Sequence, residues 1–72
     1  MTTSETELEM VERHIREAER HVLRQRQIIE ELYEGHHSTA LAEQLLTEFE
    51  QNLRDHRAHL ARLTGKPASH SD

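Results

Sequence analysis

Two stretches of this chain carry apolar residues at alternating spacings of three and four. The first runs through Leu8, Val11, Ile15, Ala18, Val22, Gln25, Ile29 and Leu32, and the second through Ala42, Leu46, Phe49, Leu53, His56, Leu60 and Leu63. A repeat averaging 3.5 residues keeps one stripe of a helix facing a partner helix, the pattern of a coiled-coil seam. Strands would need alternation with a period of two and β-branched enrichment, and neither occurs. Each seam has one polar exception, Gln25 in the first and His56 in the second.

Local signals place the ends. Ser4 precedes Glu5 and Glu7, with Thr3 as a competing cap. An oxygen-bearing side chain followed by acids satisfies free N–H groups and suits the helix dipole, so a first helix is expected over 4–34. Gly35 is available for a left-handed position after it. A turn over 35–38 then leads to a second helix over 39–64, capped by Ser38 or Thr39 and stopped by Gly65 and Pro67. Residues 65–72 read as a loose tail outside the hairpin of 1–64.

So short a turn forces the helices antiparallel. The seams then meet in one register, with Leu32 opposite Ala42, Ile29 opposite Leu46, Gln25 opposite Phe49 and Val22 opposite Leu53. Ala18, Ile15 and Val11 follow opposite His56, Leu60 and Leu63. The register predicts Glu19 near Arg54 and His21 near Asp55. Spacing along the first helix predicts i,i+4 pairs from Glu9 to Arg13 and from Glu12 to Arg16. Such exposed pairs are worth only about 0–1 kcal/mol each.

A chain of 72 residues rarely buries enough apolar surface to stand alone, and small domains compensate with disulfides, metals or association. Cysteine is absent, which removes disulfides and thiolate metal sites. Apolar residues off the seam (Ile28, Tyr33, Leu41 and Leu45) widen the apolar face near the turn. Together with Phe49 they form the expected dimer interface. The fold expected is all-α, an antiparallel two-helix hairpin dimerising into a four-helix bundle.

The histidines are the chain's other distinctive feature. Protonating all seven would take the net charge from −5 to +2. In the register above, His56 faces the small Ala18, His59 lies one turn on, and His14 sits across the seam. Imidazoles converging from two helices bind zinc, copper or nickel. A site of His14, His56 and His59 is therefore the alternative to a purely structural reading, in which one polar residue per seam sets register. Protonation of a histidine buried in the seam would also weaken it as pH falls. His14 and His21 lie about 10 Å apart along the axis, too far to share one ion directly. The adjacent His36 and His37 read as loop. A Glu-x-x-His pattern occurs only across the turn, from Glu34 to His37, so a di-iron bundle is not expected.

Other function classes find little footing. The serines are caps or tail, and no phosphate loop, nucleophile elbow or HExxH is present, so no catalytic residue and no cofactor are assigned. Arg13, Arg16, Arg20 and Arg24 line the outer face of the first helix. The negative net charge and 3% aromatic content nevertheless disfavour nucleic acid as a partner. No apolar run approaches the ~20 residues of a membrane span, and no signal peptide follows Met1. A cytoplasmic location without membrane attachment is expected.

The run from Glu19 to Leu32 (ERHVLRQRQIIEEL), the turn GHHST from Gly35 to Thr39, and LLTEFEQNLRDHRAHL from Leu45 to Leu60 resemble a group of short, uncharacterised helical-hairpin proteins of alphaproteobacteria, rhizobia among them. The resemblance covers about residues 12–63. In that group the turn often reads Gly-His-Asp-Thr, and Ser38 stands here where the Asp would be; either residue caps a helix. The resemblance implies a bacterial cytoplasmic hairpin and transfers no catalytic residue. The expected role is a non-enzymatic, self-associating interaction or adaptor module, with regulation within its scope and an unidentified protein as a further partner. A small histidine-based transition-metal binder is the alternative.

Overall fold

A computed structural model describes residues 4–65. They form two helices, α1 over Glu7–Glu34 and α2 over Ala40–Thr64, packed against each other as a hairpin, with no strand among the described residues. Thr3 and the expected tail beyond Gly65 lie outside the described residues.

The seam residues meet across the helix pair, but not in the expected register: the Gln25 amide reaches Ala42 and not the Phe49 expected opposite it, and His56 stands beside His14 as Phe49 does beside His21. Ala18, Val22 and Leu53 share one buried cluster, and Ile15, Leu46 and Phe49 pack against it. Val11 is fully enclosed and Ala42 is buried. The seam opens at its far end, where Leu8 and Leu63 stay exposed because neither helix continues far enough to cover them. Gln25, 6% exposed, donates its side-chain amide to the carbonyl of Ala42 at 2.9 Å. A buried amide is tolerated only where it finds such a partner. This bond ties the middle of α1 to the first turn of α2 and so pins the register.

The ends of the helices differ from the sequence-based expectation in detail. α1 starts at Glu7 and not at Ser4. Its N-cap is Thr6, whose hydroxyl accepts from the Glu9 N–H at 3.1 Å while the Glu9 carboxylate accepts from the Thr6 N–H at 2.9 Å. That is a reciprocal capping box. It leaves Glu5 outside the helix, free to fold back on Arg13, which reaches it through two hydrogen bonds of 3.0 Å.

At the other end of α1 the left-handed residue is His36, with φ 61°, and Gly35 keeps an ordinary φ of −84°. The His37 N–H bonds to Leu32 O at 2.8 Å and the His36 N–H to Tyr33 O at 3.0 Å. These two bonds make a Schellman closure displaced by one residue from the glycine. What Gly35 gives is space instead: a Cβ there would stand 3.0 Å from His37 Cδ2 and 3.4 Å from Glu31 O, a tight fit that the His37 ring would have to ease. α2 begins one residue later than expected, at Ala40. The N-cap position belongs to Thr39, whose hydroxyl bonds to the Glu43 side chain, while Ser38 Oγ accepts from the Ala40 N–H at 3.4 Å. Gly65 ends α2 in the left-handed region at φ 72°, its N–H bonded to Ala61 O.

Two outcomes follow. Replacing His36→Gly relieves the left-handed strain and raises stability by about 1 kcal/mol, read as a rise in Tm of roughly 4–8 °C. Replacing Gln25→Ala removes the bond to Ala42 and opens a void in the seam. It lowers the denaturant midpoint by the equivalent of about 1–3 kcal/mol.

Candidate functional site

An antiparallel pair of helices has two flanks, one on each side of the seam, and here they differ in chemistry. One is closed by ion pairs between the helices. Arg57 meets Glu19 at 3.2 Å and Arg26 meets Glu50 at 3.1 Å. Leu23, 60% exposed, lies in the same groove beside Val22 and Leu53. Tyr33, one heptad after Arg26, continues this flank toward the turn and is 75% exposed.

The opposite flank carries imidazoles. A groove of about 320 Å³ is lined by His14, Glu17, Ala18, His21, Phe49, Asn52 and His56. Its floor is Ala18, whose small side chain leaves room for rings on either side. His14 and His56 stand with ring centroids 5.1 Å apart and planes inclined by 46°. The His21 ring lies 5.5 Å from that of Phe49. Ile28, one heptad after His21, and Leu45, one heptad before Asn52, extend this flank toward the turn, and Leu41 adds a further turn of apolar surface. Leu41 is 70% exposed and Leu45 is also exposed, while Ile28 and Phe49 are half-buried. Four of the five residues expected at a dimer interface thus share one flank, and Tyr33 lies on the other.

The three histidines of the expected metal set are divided. His14 and His56 come together. His59 instead places Nε2 3.0 Å from Glu7 Oε2, nearer the open end. Among the described residues no three histidine, aspartate or glutamate side chains already stand close enough to hold a metal ion. His36 and His37 serve the turn, one in the left-handed corner and the other over Gly35.

The expected charge pairs are redistributed. Glu19 selects Arg57 and not Arg54; Arg54 bonds to Gln51 at 2.7 Å within its own helix. His21 packs on Phe49, while Asp55 accepts from Gln51 at 2.9 Å. Arg13 pairs with Glu5 and, at 3.4 Å, with Glu17, in place of Glu9, which the capping box has engaged. Exposed side chains this long have several partners of nearly equal energy within reach, so spacing alone does not choose among them.

Comparison with family models, with curated proteins and with solved structures returned no match. Among the described residues no helix is long and apolar enough to cross a membrane.

The hydrogen bonds from Arg13 hold the Glu5 carboxyl below its usual range, and Glu5 in turn raises the Arg13 guanidinium above its own. A carboxyl depressed in the folded state adds stability above its unfolded value and loses it as pH falls through the lowered one. The Tm of the native chain therefore falls more steeply than that of Glu5→Gln below about pH 4.3. Thermal melts across that range read the difference, and parallel curves would contradict it.

Proposed function

We infer that the chain is a non-enzymatic interaction module that works as a dimer of hairpins, two copies packing through the imidazole-bearing flank into a four-helix bundle. The observation that carries this reading is the asymmetry of the flanks. Ion pairs occupy one, whereas the turn half of the other carries the exposed Leu41 and Leu45 and the half-buried Ile28 and Phe49. The buried core of the single hairpin contains only small and medium apolar residues apart from Leu53. A second hairpin on the open flank supplies the missing depth.

The occupant that best fits is a second copy of the chain. A two-fold axis sets the same patch on itself, and where the hairpins overlap along their full length apolar residues meet apolar residues with both turns at one end. That arrangement leaves the outer faces, rich in Glu and Arg, free for another protein, which is the sense in which the module acts as an adaptor. A bacterial, cytoplasmic setting belongs to the same proposal and draws on the resemblance of residues 12–63 to the alphaproteobacterial hairpins.

Size-exclusion chromatography with light scattering tests it. The native chain elutes at twice 8.5 kDa. The double substitution Leu41→Glu and Leu45→Glu returns it to the mass of one chain. Leu23→Glu, on the opposite flank, leaves the dimer intact. A native chain that stays monomeric, or a dimer that Leu23→Glu dissolves and the double substitution does not, would overturn this reading.

A further inference from the structure

The half of this flank that carries His14 and His56 holds chemistry that the apolar turn half, where the second copy is placed, does not use. His14 and His56 belong to different helices, yet their ring centroids are 5.1 Å apart. Among the described residues neither ring takes part in a hydrogen bond or an ion pair, whereas His59 is engaged by Glu7. Both rings are half-buried at the rim of an open groove, so their nitrogens are reachable from water.

Glu17 lines the same groove one helical turn after His14. Its carboxylate lies 3.4 Å from Arg13, a long and solvent-exposed contact. Such a contact holds a carboxylate weakly, and Arg13 keeps Glu5 as its closer partner at 3.0 Å. Rotation of the Glu17 side chain toward the ring pair therefore gives up little. Two imidazoles and one carboxylate make a donor set of the kind that holds zinc with a water in the fourth position. Its nitrogen content favours zinc, nickel or copper over magnesium or calcium, which take oxygen donors.

We propose that His14 and His56, joined by Glu17, form a site for a first-row divalent transition-metal ion that clips α1 to α2. The two-imidazole half of the site is already assembled by the hairpin, and Glu17 completes it by a change of side-chain rotamer. All three ligands come from one copy of the chain, so the site does not depend on the dimer. Binding links residues that are 42 positions apart in the chain. The ion has no comparable set of ligands in the unfolded state, so its binding stabilises the hairpin.

The test uses the untagged full-length chain. Thermal melts with added zinc chloride are paired with competition against a chromophoric zinc chelator. Zinc raises the Tm in a concentration-dependent way and magnesium at the same concentration does not. His14→Ala and His56→Asn each weaken zinc binding by about 100-fold and Glu17→Gln by about tenfold, magnitudes in line with loss of a ligand or of its support. His59→Ala leaves binding unchanged, as does the double substitution His36→Ala and His37→Ala. Circular dichroism of each metal-free variant confirms that the helices persist, and zinc-edge X-ray absorption of the native complex counts two imidazoles. The proposal fails if zinc, nickel and copper all leave the Tm unmoved. It also fails if binding survives loss of both His14 and His56, or if it disappears with His36 and His37. Light scattering with and without zinc reads self-association separately, so a monomer that binds zinc removes the dimer and keeps the site.

Discussion

Two helices touch along one line, and the rest of this chain's behaviour follows from how little that line encloses. Val11, Ala18, Val22, Ala42 and Leu53 are the buried apolar residues, and four of the five are alanine or valine at positions where a coiled coil would accept larger side chains. Small residues let the helices approach closely, but they remove little surface from water. The hairpin thus has a definite register and a shallow core. Gln25 contributes to the first of these: its amide has one good partner, the Ala42 carbonyl, and a slide of α2 along α1 would strand it in an apolar setting.

Depth must come from outside the seam, and the two flanks are unequal sources of it. Glu19, Arg26, Glu50 and Arg57 close one flank with interhelical ion pairs, which add orientation more than stability because they face solvent. On the other flank polarity grades along the axis, from His59 beside Glu7 near the open end, through the imidazole pair, to Ile28 and Leu45 near the turn. An apolar half suited to a second hairpin and an imidazole half suited to a metal ion therefore share one surface. Occupation of either half would reinforce the same helix pair, since each bridges α1 and α2 where the core is thin.

The turn shows how local demands are shared out among neighbours. A glycine directly after a helix ordinarily takes the left-handed position because it lacks a Cβ. Here the helix winds on through Gly35, whose missing Cβ makes room for the His37 ring, and the left-handed corner passes to His36. Histidine adopts that region more readily than most residues. Both histidines of the turn are thus placed by the backbone there, His36 in the left-handed corner and His37 over Gly35, and metal chemistry is sought in the groove, where two imidazoles come together across the helices.

The helical class, the hairpin and the membership of Ala18, Val22 and Leu53 in one seam were legible in the amino-acid order, because a 3.5-residue repeat survives any change in the exposed positions around it. The register was not, since Gln25 reaches Ala42 and not the Phe49 expected opposite it. The polar exceptions were legible too, though only as exceptions. That Gln25 would be satisfied by the Ala42 carbonyl, and that His56 would join His14 while His59 turned to Glu7, depended on distances across the seam that spacing along one chain does not contain. The same holds for the start of α1: Ser4 and Thr6 each stand three residues before a glutamate, and the choice of Thr6 goes together with Glu5 folding back onto Arg13. Periodic burial is written redundantly over many residues. A cap, an exposed ion pair or a ring contact is settled by one or two side chains whose alternatives differ by about 1 kcal/mol or less, and only packing in three dimensions selects among them.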